Sequence, residues 1–293
     1  MYDCIIIGCG MAGMTASIYL ARANLKCLII EKETIGGQIS SSPKVSNYPG
    51  CPDIKGASLV DNVFKQVEDL GVSFEIGTVL KVLDGDTKKV VTDDNTYYAK
   101  TIIIATGVTH RRLNLENEDN LIGKGIHFCV TCDGAFYKGK DVIVVGGGNT
   151  ALINAISLSS ICKNVYIVQN LDKLTGEEKL IEEIKKISNI KILLSSKITK
   201  INGDDALSSV IINDKDTLKA DGMFISIGLE PHNNIFKGLV NLTDDGYIKT
   251  IDCKTNVDGI FAAGDCTYKK VRQLTTATSD GTIAALQVIN YLK

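Results

Sequence analysis

The chain repeats one demanding local pattern: a short apolar strand runs into closely spaced glycines and out into a helix. The first copy is the strand Cys4-Ile5-Ile6-Ile7, the turn Gly8-Cys9-Gly10-Met11-Ala12-Gly13, a helical run from Met14 to Ala23, and a strand from Lys26 to Ile30 ending at Glu31. Glycines here allow a tight turn, close approach of a diphosphate and close packing of helix on strand, and an acid about 20 residues on can hold ribose hydroxyls. Gly8, Gly10, Ala12, Gly13 and Glu31 are therefore candidate dinucleotide contacts; a loop kept only for packing is the other reading. The second copy is the strand Asp141 to Val145, the turn Gly146-Gly147-Gly148-Asn149-Thr150-Ala151, a helix to about Ser160 and the strand Asn164 to Val168. Two such units predict an α/β fold of two Rossmann-like dinucleotide-binding domains, for which 293 residues suffice.

Two further segments read as buried strands stopped by glycine turns: Thr101-Ile102-Ile103-Ile104-Ala105-Thr106-Gly107, and Gly259-Ile260-Phe261-Ala262-Ala263-Gly264-Asp265. Asp265 falls where a strand end faces a ligand crevice. Its alternative is an N-cap for the segment that follows.

Between the glycine units lies Cys129-Val130-Thr131-Cys132, followed by Asp133 and Gly134. Two thiols at this spacing can close a reducible disulfide, and a mixed disulfide on one sulfur can be resolved by the other. Asp133 is placed to exchange a proton with a departing thiol. A half zinc site with His127 as third ligand and a purely structural bridge are the competing readings; the chain has no second Cys pair at zinc-site spacing. The other seven cysteines stand singly in mostly apolar contexts, and most are expected to be buried and reduced. The balance of 32 basic against 34 acidic side chains argues against a nucleic-acid partner. No stretch is long and apolar enough to span a membrane, and the N-terminus carries no leader pattern, so the expected location is the cytoplasm.

Together these motifs resemble the low-molecular-weight thioredoxin reductases, FAD flavoproteins with two dinucleotide-binding folds. Gly36-Gly37-Gln38, Asn47-Tyr48-Pro49-Gly50, the Ala105-Thr106-Gly107 and Gly264-Asp265 turns and Arg272-Gln273 are similar to that family's flavin-contacting segments. The resemblance implies FAD held by Glu31 at the adenosine ribose, by Gly37, Gln38 and Asn47 along the flavin, by Thr106 and Gly107, by Asp265 at the ribityl chain, and by Arg272 and Gln273 at the isoalloxazine end. It implies that Cys132 faces the flavin, Cys129 attacks thioredoxin and Asp133 handles the proton. It also implies that the second domain is inserted in the first: FAD domain 1–113 and 246–293, cysteine-bearing domain 114–245. Hinges near Leu113 to Gly125 and Asn241 to Tyr247, a rotation between domains and a homodimer complete the implied picture.

One stretch departs from the family. NADPH-using members carry a His-Arg-Arg run and a further Arg after the second strand of the second domain, but this chain reads Val168-Gln169-Asn170-Leu171-Asp172-Lys173-Leu174-Thr175. A phosphate monoester needs several charge-assisted bonds, and Lys173 beside Asp172 supplies few. NADH lacks its ribose-binding acid as well, since Gln169 stands in that place. The pattern resembles clostridial-type members that take electrons from ferredoxin. A ferredoxin near ~ -400 mV reducing a thioredoxin near ~ -270 mV releases roughly 6 kcal/mol per electron pair. Lys269, Lys270 and Arg272 could steer such an acidic donor, and an ordinary solvated loop is the other reading. The alternatives are an NAD(P)H-dependent enzyme using Lys173 and Lys179, and a non-catalytic flavin redox sensor.

Overall fold

Runs of isoleucine and valine too continuous for a half-exposed strand predict parallel sheets covered on both faces, and two such sheets form. The computed structural model describes residues 1–42 and 44–293. Its chain divides into two compact units, Met1–Thr109 with Glu230–Lys293, and His110–Leu229. The first begins with β1 (Tyr2–Ile7), α1 (Met11–Arg22), β2 (Cys27–Glu31), α2 (Gly56–Asp69), β3 (Ser73–Ile76), β4 (Val79–Leu83), β5 (Lys88–Thr92), β6 (Thr96–Ile104) and β7 (Val108–His110). The second holds α3 (Glu118–Leu121), β8 (Ile126–His127), α4 (Val130–Asp133), β9 (Asp141–Val145), α5 (Asn149–Ser159), β10 (Asn164–Val168) and α6 (Glu178–Ile184), then β11 (Ile190–Leu193), β12 (Ile198–Gly203), β13 (Leu207–Ile212), β14 (Asp216–Lys219) and β15 (Gly222–Ile225). β16 (Leu229–Pro231), β17 (Ile260–Ala262) and α7 (Leu274–Tyr291) follow.

Among the described residues the first sheet runs β3-β2-β1-β6-β5-β4 with β17 also on β6. β1, β2, β3, β6 and β17 are parallel, Cys4 standing opposite Cys27 and Thr101 in register, while β4 and β5 add an antiparallel edge. Alternation along β1 sends Cys4 and Ile6 to one face with α1 and α7, and Ile5 and Ile7 to the other with Phe236, Val240 and Ile248. Gly281 of α7 lets that helix ride on α1: a Cβ there would meet the Ala12 carbonyl oxygen at 2.3 Å. The second unit's main sheet, β11-β10-β9-β15-β8, is parallel throughout, with an antiparallel β12-β13-β14 sheet beside it in the chain.

The chain passes between units at Thr109/His110 and Leu229/Glu230, on the paired strands β7 and β16. These crossings differ from the expected bounds at 113/114 and 245/246, the second by a whole segment. The reason is packing: Phe236 and Val240, expected to belong to the inserted domain, are buried against the first sheet. Among the described residues no helix is long and apolar enough to cross a membrane.

Candidate active site

The first glycine loop separates two kinds of glycine. Gly8 has φ +108° and a Cβ there would meet the Ala105 carbonyl oxygen at 2.3 Å, while a Cβ on Gly13 would meet the Gly8 carbonyl oxygen at 2.0 Å. Both are required by the fold itself. Gly10 is not: its φ is -75°, and a Cβ there would meet nothing within 4 Å. The space beside Gly10 opens at the N-terminus of α1, which no side chain caps, so its first amides are open to an anion. Glu31, at the end of β2, is locked by the same loop. Its Oε2 accepts from Cys9 N at 2.7 Å and its Oε1 from Glu33 N at 3.0 Å, leaving further acceptor capacity on both oxygens.

Contacts distant in sequence assemble the rest of this cradle. Asn47 Nδ2 donates to Gln273 Oε1 at 3.2 Å across 226 residues, and Gln38 Nε2 donates to the Val108 carbonyl. Gln273 is also the N-cap of α7, in a reciprocal box with Thr276. Asp265 therefore does not cap that helix. It lies in the short turn after β17, its Oδ1 is buried without a hydrogen-bond partner, with Lys269 Nζ 3.8 Å away, and burial pushes its carboxyl above the ordinary range despite Lys269 and Arg272. A buried carboxylate oxygen left unsatisfied is costly; a hydroxyl-bearing ligand chain in the crevice would satisfy it. Thr106 donates its hydroxyl to Asn233 Oδ1 at 3.1 Å, and Gly107 takes φ +63° with open space beside it.

The second glycine loop is covered by its own chain. Gly146 keeps φ +123° and packs on the Ser226 carbonyl, as a Rossmann turn requires. The segment after β10, however, folds back over it. Gln169 is buried with its amide against Gly147, where a Cβ would meet Nε2 at 2.6 Å. Thr175 N and Gly176 N both donate to the Gly147 carbonyl, at 2.8 and 3.0 Å. Asn149, first residue of α5, accepts from Glu177 N at 2.7 Å and donates Nδ2 to Glu177 Oε1 at 2.9 Å. A carboxylate thus stands beside the helix N-terminus that in such folds receives phosphate.

Cys129 and Cys132 form a disulfide, Cα to Cα 5.2 Å. Cys129 is the N-cap of α4, its sulfur accepting from Cys132 N at 3.2 Å, and the backbone of Asp133 closes the turn on the Cys129 carbonyl. The other seven cysteines are free, six of them buried. Burial pushes the Cys9 and Cys253 thiols up to about 12 and the Cys27, Cys162 and Cys266 thiols to about 11, so these stay protonated and inert. Both ring nitrogens of His127 are engaged by Asp133 and Tyr137, so the ring is not offered to the sulfurs as the zinc reading requires.

The pyridine nucleotide-disulphide oxidoreductase profile matches residues 2–281. The chain belongs to that family. Within it the low-molecular-weight thioredoxin reductases are its homologues: that of Bacillus subtilis is 38% identical, covering 100% of this chain and 95% of its own. A "34.2 kDa protein in rubredoxin operon" of Clostridium pasteurianum is 43% identical over 99% of this chain and 97% of its own. The crystal structure of thioredoxin reductase from Streptococcus pyogenes matches with a TM-score of 0.96 at 38% identity, covering 100% of this chain and 98% of that one.

The cofactor of this disulphide oxidoreductase is FAD, and the first unit fits it: an uncapped α1, room for more than a Cβ at Gly10 and a buried Asp265 oxygen that no hydrogen bond reaches. Of the two readings of the basic cluster, steering loses two of its three side chains to internal partners. Lys269 is mostly buried, 2.6 Å from Asp280, and Arg272 donates to the carbonyls of Asp265, Lys269 and Thr267 while lying 4.3 Å over the Tyr247 ring. Only Lys270 of the three is exposed. Two residues escaped the sequence reading. Asn233 is fully buried and ties Thr106 to the Gly246 and Cys266 carbonyls, and Asp280 Oδ2 accepts from Gly264 N as well as Lys269. Neither lies in a spaced motif, so nothing local announced them.

Proposed function

We propose that the protein is an FAD-dependent thioredoxin-disulfide reductase whose flavin is reduced by ferredoxin and not by a pyridine nucleotide. The observation that carries the donor assignment is the covered second glycine loop: Gln169, Thr175 and Gly176 lie on Gly147, and the Glu177 carboxylate stands at α5. An NAD(P)H diphosphate would have to displace these contacts and lie beside a like charge, with no arginine fork to offset that cost. FAD supplies the conversion of single electrons into pairs.

In this reading Gly8, Gly10, Ala12 and Gly13 receive the FAD diphosphate and Glu31 the adenosine ribose. Gly37, Gln38, Asn47, Thr106, Gly107, Asp265, Arg272 and Gln273 hold the rest, Arg272 through the loop that its guanidinium pins. The Cys129–Cys132 bond accepts an electron pair and one proton from water, leaving Cys129 as thiolate and Cys132 as thiol. Cys129 thiolate then attacks the thioredoxin disulfide, forming a mixed disulfide as the partner S–S bond breaks. The departing sulfur takes a proton from Asp133. Cys132 attacks Cys129 Sγ, gives its proton to Asp133, re-forms the pair and releases the second partner sulfur to be protonated by water. A homodimer in the cytoplasm belongs to the same reading.

Anaerobic mixing of the holoenzyme with reduced ferredoxin, NADPH and NADH in turn tests the donor. Ferredoxin is expected to bleach the flavin and, with thioredoxin present, to release two thiols per disulfide. Rapid bleaching by micromolar NADPH overturns the donor assignment, and full turnover by Cys132→Ser overturns the dithiol mechanism.

A further inference from the structure

Behind the redox pair, Asp133 is tied into a buried polar chain whose other members, His127 and Tyr137, the thiol-exchange scheme does not use. His127 ends β8, directly opposite Phe224 of β15 in register, with the two rings 5.5 Å apart. His127 Nδ1 is 3.1 Å from Asp133 Oδ2, and Nε2 is 2.7 Å from the Tyr137 hydroxyl. The imidazole is 6% exposed and Asp133 13%, so solvent screens this contact little. The enclosure is shaped for it. Tyr137 meets Phe224 edge-on at 5.5 Å, and Gly222 leaves room for the phenol, since a Cβ there would lie 2.3 Å from its ring. Burial pushes the Tyr137 hydroxyl up to about 12, so the phenol keeps its proton and serves the ring only as a hydrogen-bond partner.

We infer that His127 is a positioning residue for disulfide exchange: clamped by Tyr137, it holds the Asp133 carboxyl and, through its own charge, sets how readily that carboxyl takes up and returns the thiol proton. An imidazolium beside Asp133 favours the carboxylate, and a neutral imidazole favours the acid. The groups facing the ring are Asp133 from α4, Tyr137 from the turn after it and uncharged Phe224 from β15. Asp221 also acts on the Tyr137 hydroxyl, and Lys140 Nζ lies 5.4 Å over the Tyr137 ring. The exchange step itself is unchanged. Asp133 gives one proton to the departing partner sulfur and recovers one from Cys132 as the pair re-forms, while two electrons pass from the dithiol to the partner disulfide.

The inference rests on the thiol-exchange reading, but its test needs neither thioredoxin nor ferredoxin. The holoenzyme is reduced with excess dithiothreitol and freed of reagent, and alkylation of Cys129 by iodoacetamide is followed by mass across pH 5 to 9. Wild type is expected to show the thiol ionisation plus a second inflection, with a rate change of about threefold to tenfold across it. His127→Asn should lose the second inflection, and in an Asp133→Asn background it should change nothing further. A His127→Asn profile that superimposes on wild type overturns the inference, as does an equal effect in the Asp133→Asn background, which would mark a merely structural residue. If His127→Asn lacks the wild-type circular dichroism, Tyr137→Phe decides: the second inflection is expected to move, and an unmoved one overturns the inference.

Discussion

At the scale of single residues the two glycine types make opposite predictions. Gly10→Ala has an allowed backbone and no protein atom to strike, so apoprotein stability should stay within about 0.5 kcal/mol of wild type. FAD affinity should nevertheless fall at least about tenfold, because the methyl occupies diphosphate space. Gly13→Ala strikes a carbonyl at 2.0 Å and should cost roughly 1–3 kcal/mol in urea melts whether or not FAD is present. Asp265→Asn separates fold from ligand in the same way. The carboxyl is raised by burial, so the unfolded chain releases its proton first as pH rises, and the buried carboxylate weighs against the fold at neutral pH. The amide should leave the apoprotein as stable or more stable, and weaken FAD by roughly 10- to 100-fold through the lost charge-assisted hydrogen bond. Fluorescence titration with FAD alongside urea unfolding checks all three.

Among elements, β7 couples the crossing segment to the redox turn within the second unit. His110 stacks on Phe128 with centroids 4.6 Å apart, next to Cys129, and burial, helped by Arg112, lowers its imidazole to about 4. Between the ordinary histidine value and about 4 the unfolded chain binds a proton that the folded chain refuses. Stability should therefore fall as pH falls through that window, by on the order of 2 kcal/mol. His110→Phe keeps the stack and should flatten this part of the profile in urea titrations at pH 7 and pH 4.5. The segment from Gln169 to Glu177 is the other element that decides behaviour. Its missing arginines were plain in the sequence, but its position over Gly147 was not, because that depends on Thr175, Gly176 and Asn149 finding partners some 28 residues away.

For the molecule as a whole, the paired crossing strands mean that the inserted unit enters and leaves at neighbouring points. Deleting residues 110–229 and joining Thr109 to Glu230 through a short glycine linker should leave a folded protein with a flavin spectrum and no disulfide reductase activity, because both sheet faces of the first unit are closed by its own residues. A colourless or unfolded product would mean that the first unit depends on the second.

What the sequence determined by itself was whatever the backbone needs within a few residues: two strand-glycine-helix turns, apolar runs for covered parallel strands, and a cysteine spacing that closes in one turn. Such needs are local and steric, so Gly8, Gly13, Cys129 and Cys132 were legible in the sequence. Which charged and polar groups remain available was settled by packing between distant segments. Lys269 and Arg272 looked like a basic patch until Asp280, three carbonyls and Tyr247 absorbed them. His127 was open to a metal-ligand reading beside the redox one until Asp133 and Tyr137 claimed both nitrogens. A side chain's partner is set by packing between segments remote in sequence, and no local propensity encodes it.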